Sequence, residues 1–327
     1  MKKHRNIKKT AYFVITMLLV LGLLISGARI LEYAAFGQDV PSEKLPESKT
    51  IRRDGIDYYP RQDVTVILLM GIDEQGPVIS SGYHRNTGEA DVVNLLILDE
   101  TNETYTVLCL NRDTMLNMPV LGINGKQAGT FYGQLALAHT YGEGLTDSCE
   151  NMVQAVSDFL HGIAIDYYVA MNMDAIAIVN DAVGGVRVNV TDDFSEVDSS
   201  IPMGQVVLSG SQALSYVQAR INLGNQLNIS RMERHKEYMT GLMDALKSKV
   251  ENSDSFILNL HDQINEYMVT DCSVTTINSL LERCVDYSFQ ETVSLDGRNE
   301  LGAEYYEFYA DEEKLDEVIL RLFYASK

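Results

Sequence analysis

The first 28 residues constrain this chain more than any other segment does. Five basic residues between Lys2 and Lys9 precede an uncharged, apolar stretch of 18 residues, Ala11 to Ala28. At about 1.5 Å per residue, a helix of this length spans roughly 27 Å, just enough to cross the hydrocarbon core of a bilayer. Because basic flanks stay on the cytoplasmic side, we predict a cytoplasmic segment 1–10, a transmembrane anchor 11–28 and an extracellular remainder in the cell membrane.

A cleaved signal peptide is the alternative, because Ser26-Gly27-Ala28 is similar to a small-residue cleavage site. Both alternatives export the rest of the chain and exclude a cytosolic role. With five of the 26 basic residues in the N-terminal flank, the exported part keeps 21 against 46 acidic residues, a formal charge of −25. Since a nucleic-acid binder needs a basic face to neutralise phosphates, this charge argues against nucleic acid as a partner.

Beyond the anchor, the residue pattern predicts a linker followed by an α/β domain. Residues 29–60 hold three of the six prolines and many charges, which is typical of a membrane-proximal linker. Apolar runs rich in β-branched residues predict strands, and capped or periodic segments predict helices. The predicted strands are 64–70, 92–98, 105–110, 167–171 and 186–190, and the predicted helices are 147–160 and 174–182. Interleaved strands and helices predict an α/β/α sandwich around a mixed central β-sheet over 61–250, with a helical C-terminal part over 251–327.

Two aspartates stand at the ends of neighbouring predicted strands. Asp73 follows the first strand through Gly71-Ile72, and Asp91 directly precedes the second strand. A hairpin-like arrangement would bring both carboxylates to one sheet edge, where a cation relieves their repulsion. Oxygen ligands suit Mg²⁺ or Ca²⁺, so both aspartates are candidate metal ligands. The alternative is that both are turn or cap residues.

Arginines at two places are candidates for binding an anion. Arg112-Asp113 ends the strand 105–110, as an anion clamp with its own orienting carboxylate or as a surface ion pair. Ser230 and Glu233 form a capping-box pattern, which puts Arg231 and Arg234 in the first turn of a helix. The helix dipole repels cations there, so we expect a phosphate-like anion beside these arginines. A solvated basic face is the alternative.

The cysteines and histidines predict no metal centre, because the chain has no CxxC or HxH spacing. Cys272 and Cys284 flank a predicted helix at 275–283, which would hold them about 15 Å apart, so we expect free thiols. His139 lies in the apolar segment LALAHTYG and is more typical of a core histidine than of a general base.

Six segments in a fixed order resemble the LytR–CpsA–Psr family. They are LLMGID, EADVVNLLILDE leading to LNRDTM, ALAHTYGEG, GIAIDYYVAMNMDAIAIVNDAVGGVRV, LSGSQALSYVQAR and ISRMERHKEYM. The resemblance covers roughly residues 64–249, and the N-terminal anchor also fits it. It implies a membrane-anchored extracellular enzyme that takes a glycopolymer from a polyprenyl diphosphate carrier and attaches it through a phosphodiester to peptidoglycan.

By position, the resemblance also implies roles for individual residues. Mg²⁺ would be held by Asp73 and Asp91. The diphosphate would be held by Arg112, Arg220 and Arg231, with Arg234 and Gln218 beside them. The catalytic candidates are Arg112, Asp113 and Asp91, with Asp113 orienting Arg112 and a carboxylate accepting a proton. We expect the prenyl tail to occupy an elongated apolar cavity lined by residues 153–183 and the helix from Ser230.

The chain departs from the family pattern at four places, one of which is His235, where the family usually has a glutamine. Glu89 stands where the family usually has an arginine, Gln218 replaces one arginine of an Arg-x-Arg pair, and Asn228 or Asn225 replaces an aspartate. The alternative function is therefore a non-catalytic polyprenyl-phosphate- or glycan-binding module of the same fold. Export and the charge of −25 exclude a transcriptional role.

Overall fold

The structure is a computed structural model that describes residues 50–219, 256–273, 287–302 and 305–326, with single positions within 234–249 and 276–280. The predicted cytoplasmic segment and anchor lie outside the described residues. Among the residues that are described, no helix is long and apolar enough to cross a membrane.

Seven strands precede the first α-helix, and helices and strands are interleaved along the rest of the described chain. The strands are β1 (Ile51–Arg53), β2 (Ile56–Pro60), β3 (Val64–Ile72), β4 (Ala90–Asp99), β5 (Thr104–Leu110), β6 (Met115–Leu121), β7 (Gln127–Gln134), β8 (Tyr167–Asn172), β9 (Val186–Val190), β10 (Gly204–Leu208), β11 (Met268–Thr270), β12 (Ser288–Ser294), β13 (Gly297–Leu301), β14 (Tyr306–Ala310) and β15 (Tyr324–Ser326). The α-helices are α1 (Thr146–Phe159), α2 (Asp174–Ala182), α3 (Gly210–Gln218), α4 (Phe256–Ile264) and α5 (Glu312–Phe323). Short 3₁₀ helices occupy Leu135–Thr140 and Asn265–Tyr267, and every described residue of 234–249 is helical.

The described chain divides into two compact units. One, here the sheet unit, contains the described residues of 30–172, 268–273 and 286–327. The other, here the helical unit, contains those of 173–267 and 274–285. The division does not fall at residue 250, where the sequence predicts a boundary, because β11 and β12 return to the sheet unit.

A six-stranded mixed sheet forms the centre of the sheet unit, as the sequence predicts. Its strand order is β11-β8-β3-β4-β5-β12. The central strands β3, β4 and β5 pair antiparallel, whereas β8 runs parallel to β3 and β12 runs parallel to β5. The predicted strands 64–70, 92–98 and 105–110 are therefore correct to within two residues at each end.

One face of this sheet packs against helices to form the core. Alternate residues of β3 are buried there, including Val66, Leu68 and Met70. From α1, residues at helical spacing such as Met152 and Ala155 enter the same core. Val153 and Phe159 are partly buried against this core. The elongated cavity expected along residues 153–183 and the helix from Ser230 stays a prediction.

The predicted linker 29–60 contains a β-hairpin at its end. β1 pairs antiparallel with β2, and β2 pairs in turn with β15. Asp54 and Gly55 form the two-residue turn, with φ of 52° and 79°. Asp-Gly is the dipeptide that favours this left-handed turn, so the sequence does contain the signal for the hairpin.

The prediction of a helical C-terminal part over 251–327 is wrong for much of its length. Five strands, β11 to β15, lie in this region beside α4 and α5. Every residue of β13 is exposed and five of the seven residues of β12 are exposed, so neither strand shows the alternation that identifies a half-buried strand. Strand pairing with β5 and β14, rather than local periodicity, determines these two strands.

The cysteines that the structure describes are Cys109, Cys149 and Cys272, and all three are free thiols, as expected. Burial raises the pKa of the Cys272 thiol to about 12 and that of Cys149 further still. These thiols therefore remain protonated and unreactive at neutral pH. Cys284 lies outside the described residues.

Candidate active site

The antiparallel pairing of β3 with β4 brings Asp73 and Asp91 to one edge of the sheet. The register runs from Gly71 opposite Val92 directly to Ile72 opposite Ala90, so Asp91 is the extra residue of a β-bulge. One residue further along, the Asp73 amide donates a hydrogen bond of 2.8 Å to the Glu89 carbonyl. Bulges redirect side chains and are common beside active sites. The predicted hairpin arrangement is thus confirmed, whereas a shared cation remains a prediction.

Arg112 lies beside these residues because β5 pairs with β4 up to Leu110. Its Nη2 donates to Glu89 Oε2 at 2.9 Å, its Nη1 contacts Asp91 Oδ1, and its Nε lies 3.4 Å from Asp113 Oδ1. The Arg112 side chain is 15% exposed. We name Glu89, Asp91 and Asp113 the carboxylate cage. A surface ion pair is therefore excluded, and the orienting role expected for Asp113 is shared by two further carboxylates.

The electrostatic balance of this cluster favours an additional cation. Three carboxylates surround one guanidinium, which leaves an excess of two negative charges. Asp73 is exposed beside the cage, and its carboxylate makes no ion pair or hydrogen bond with the described residues. Like charges at such separations repel strongly outside bulk water. A bound cation would relieve that repulsion.

The donor set fits Mg²⁺ in its usual protein environment. Mg²⁺ retains several waters and is commonly held by one or two carboxylates together with substrate phosphates. Asp73 follows the last residue of β3 and Asp91 is the second residue of β4, so both lie at the same end of this strand pair. No group of three or more His, Cys, Asp or Glu side chains in the described part of the chain could hold a metal ion. A site here would therefore be completed by water oxygens, some of which substrate oxygens could replace.

Asp113 is oriented by groups from distant segments. Its Oδ1 accepts a hydrogen bond of 3.0 Å from Gln134 Nε2, which also donates to the Tyr306 carbonyl at 2.8 Å. The Phe308 amide donates to the Asp113 carbonyl at 2.9 Å. Gln134 is not predicted from the sequence, because only the β6–β7 hairpin and the β14 strand bring it to Asp113.

Asn86 fixes the segment that leads into β4. Its Oδ1 accepts from the Gly88 amide at 2.7 Å, and its Nδ2 lies 2.8 Å from the His139 carbonyl and 3.0 Å from both the Gly142 carbonyl and Ser148 Oγ. Asn86 is not among the residues predicted from the sequence. The sequence signal for this role is Asn-Thr-Gly, a turn pattern in which the asparagine side chain accepts a hydrogen bond from the backbone amide two residues later.

His139 supports the same segment from the other side. It is 3% exposed, and its Nδ1 lies 2.7 Å from the Gly88 carbonyl, which can only accept. Burial lowers the pKa of His139 from its usual value near 6.5, although the hydrogen bond to Gly88 opposes this. The expectation of a core histidine is confirmed, since the side chain holds the backbone next to Glu89.

We predict that the free energy of unfolding falls as the pH is lowered below about 6.5. The unfolded state binds a proton at His139 in this range, whereas the folded state does not until its lower pKa is reached. His139→Asn, which keeps a donor at the Nδ1 position, should reduce this pH dependence. Urea unfolding between pH 5 and 8 measures it. An equal slope in both proteins would contradict the assignment.

Arg234 does not have the role that the sequence predicts. It is 4% exposed, its Nη1 donates to Asp192 Oδ2 at 2.7 Å, and its Nη2 donates to the Ala219 carbonyl. Spaced four residues apart, Arg234, Tyr238, Leu242 and Leu246 are all buried. The arginine therefore lies on the buried face of this helix, where it forms an ion pair inside the helical unit, and it is not a diphosphate ligand.

The remaining predicted ligands are described only in part. Gln218 is the half-buried last residue of α3. Arg220, Arg231, Asn225, Asn228 and the predicted helix start at Ser230 lie outside the described residues. Convergence of Arg112, Arg220 and Arg231 on one pocket stays a prediction. So does an apolar cavity beside α2.

The comparisons with known proteins all point to one family. The LytR_cpsA_psr family model matches residues 32–323. A protein of Oceanobacillus iheyensis named polyisoprenyl-teichoic acid–peptidoglycan teichoic acid transferase TagU is 28% identical over 254 residues, covering 76% of this chain and 73% of that protein. The Bacillus subtilis protein of the same name is 26% identical over 249 residues, covering 75% of this chain and 73% of that protein.

Solved structures show the same fold. The crystal structure of TagV from B. subtilis aligns with a TM-score of 0.58 and 25% identity, covering 80% of this chain and 96% of that chain. The family match also continues through β12 to α5, so the C-terminal region is part of the family domain. Because the family model covers most of the sequence, this chain belongs to the LytR–CpsA–Psr family.

Proposed function

We propose that this chain transfers a glycopolymer from a polyprenyl diphosphate carrier onto peptidoglycan through a phosphodiester. Its relatives are named as transferases that act with polyisoprenyl-linked teichoic acid and peptidoglycan. The observation that carries the proposal is the cluster at the end of the β3–β4 pair, where Arg112 lies beside Asp91 and Asp113. Asp73 follows β3 at the same end, and its carboxylate has no partner among the described residues. A guanidinium, a proton acceptor and carboxylates that bind a cation are groups that promote phosphoryl transfer.

The proposed reaction forms one bond and breaks one. A hydroxyl oxygen of peptidoglycan attacks the phosphorus next to the sugar, and the bond from that phosphorus to the oxygen of polyprenyl phosphate breaks. The hydroxyl proton passes to Asp91 or Asp113, and polyprenyl phosphate leaves with the bonding electrons. Arg112 stabilises the negative charge that develops on the phosphoryl oxygens. We propose Arg220, Arg231 and Gln218 as further contacts to the diphosphate.

Mg²⁺ is the proposed cofactor, held by Asp73 and Asp91. When bound, it would neutralise charge on the diphosphate oxygens. Asp113 keeps Arg112 beside that position, and in this conformation Glu89 contacts it as well. Gln134 donates a hydrogen bond to Asp113 and so fixes the orientation of its carboxylate. Asp113, as a candidate proton acceptor, therefore keeps its position relative to the Arg112 guanidinium.

The proposed location is the outer face of the cell membrane, with a single span at 11–28. We predict that a reporter fused after Lys327 is active when it requires export and inactive when it requires the cytoplasm, because the basic flank stays inside. Activity of only the cytoplasmic reporter would contradict this orientation.

A non-catalytic binding module is the second candidate. The observation in its favour is that each nitrogen of Arg112 already contacts a carboxylate, so a phosphate has to compete with three carboxylates for the guanidinium in this conformation. A module would bind the lipid or glycan without turnover.

Incubation of the full-length chain in detergent with a polyprenyl diphosphate glycolipid and peptidoglycan separates the two candidates. The transferase releases polyprenyl phosphate with Mg²⁺ and stops with EDTA. A module binds the glycolipid and releases no polyprenyl phosphate under either condition.

A further inference from the structure

We propose that Glu89 keeps Arg112 closed to anions until a divalent cation binds at the neighbouring aspartates. Cation binding would then precede binding of the diphosphate donor, and Glu89 would set that order. This inference rests on the proposed function, because it concerns access of the diphosphate donor to the same site.

Glu89 is the most exposed of the three carboxylates that contact the guanidinium. Its side chain is 39% exposed, whereas those of Asp91 and Asp113 are 12% and 13% exposed. An anion that approaches from solvent therefore meets the Glu89 carboxylate before it reaches Arg112 Nη2. The 2.9 Å contact between Glu89 Oε2 and Nη2 is a charge-assisted hydrogen bond, which a phosphate oxygen has to replace.

The backbone of Glu89 is fixed, so only its side chain is free to move. The Glu89 carbonyl accepts from the Asp73 amide, and the preceding Gly88 is held by Asn86 and His139. Position 88 has no room for a side chain, because a Cβ on Gly88 would lie 2.8 Å from Ile72 Cγ2. A change of side-chain rotamer is therefore the available way to release Arg112.

Repulsion between the Glu89 and Asp73 carboxylates favours a movement of the Glu89 side chain when a cation binds. Asp73 lies opposite Glu89 across the strand pair, and like charges in this position destabilise each other. A cation near Asp73 and Asp91 offers the Glu89 carboxylate a second partner and reduces the negative excess that repels phosphate. Arg112 Nη2 then becomes available to the donor.

Inorganic pyrophosphate is a suitable probe, because it tests anion binding without turnover. Isothermal titration of the full-length chain in detergent should detect binding with Mg²⁺ and no binding in EDTA. Glu89→Gln keeps the side-chain shape and removes the charge. It should bind pyrophosphate in EDTA, and in Mg²⁺ it should bind roughly tenfold more tightly than the wild type.

Glu74→Gln is the matched control. Glu74 follows Asp73 and bonds Thr87, so it shares the local charge but does not contact Arg112. It should behave like the wild type. If Glu89→Gln still needs Mg²⁺ and binds no more tightly than Glu74→Gln, the gating role of Glu89 is overturned and the proposed function stands. If the wild type binds no pyrophosphate with Mg²⁺, both proposals are overturned.

Discussion

Replacement of Arg112 by alanine should lower the rate of glycopolymer transfer by about 100- to 1,000-fold, the loss typical when a group that stabilises transition-state charge is removed. The same change removes the guanidinium that contacts all three carboxylates of the carboxylate cage. Breaking a mostly buried ion cluster from one side costs on the order of 3 kcal/mol. We therefore expect Arg112→Ala to lose activity and stability together. Initial rates of polyprenyl phosphate release and urea unfolding measure the two effects.

Arg112→Lys separates the two effects. An ammonium keeps the positive charge that the cage requires, so this variant should unfold nearly like the wild type. It lacks the planar fork that engages two oxygens at once, so transfer should still fall at least about tenfold. Full transfer activity in Arg112→Lys would show that Arg112 contributes only charge and does not position the phosphate.

Replacement of Asn86 by alanine should lower the free energy of unfolding by about 2–4 kcal/mol, because several groups lose their hydrogen-bond partner at once. Its side chain contacts the carbonyls of His139 and Gly142, the Ser148 hydroxyl and the Gly88 amide. Since the same segment carries Glu89 and Asp91, transfer should also fall. Urea unfolding and transfer rates are the measurements.

Asn102→Ala provides the control for Asn86→Ala. Asn102 makes its side-chain hydrogen bond to Asp99 three residues away, at an exposed turn. Its replacement should cost less than about 1 kcal/mol. Asn86→Asp keeps the acceptor for the Gly88 amide and loses the donor, so it should fall between the wild type and Asn86→Ala. Equal stability of Asn86→Ala and Asn102→Ala would contradict the role given to Asn86.

The central fold was predictable because its strands are buried runs with clear ends. β3, β4 and β5 are continuous apolar segments, and α2 and β9 have the predicted bounds. By contrast, β12 and β13 are mostly exposed and acquire their structure from pairing with β5 and β14. Local sequence carries little information about such strands. The β1–β2 hairpin was different, since its Asp54-Gly55 signal was present but lay within a proline-containing, charged segment.

The candidate site was predictable where strand ends determine it. Asp73, Asp91 and Arg112 follow or precede buried strands, and the antiparallel register brings them together. Gln134 reaches Asp113 only through the β6–β7 hairpin, so no local pattern identifies it. Arg234 was misassigned because its position in the first helical turn was considered without the four-residue spacing that connects it to Tyr238 and Leu242.

Formation of the covalent product tests the central claim most directly. The full-length chain is incubated with Mg²⁺, a polyprenyl diphosphate glycopolymer and peptidoglycan, and the washed peptidoglycan is digested and analysed by mass spectrometry. We predict muropeptides that carry the glycopolymer through a phosphodiester, formed by the wild type and lost in EDTA and in Arg112→Ala. Consumption of neither substrate, with the glycolipid recovered intact and bound to the protein, would contradict the account and identify the chain as a binding module.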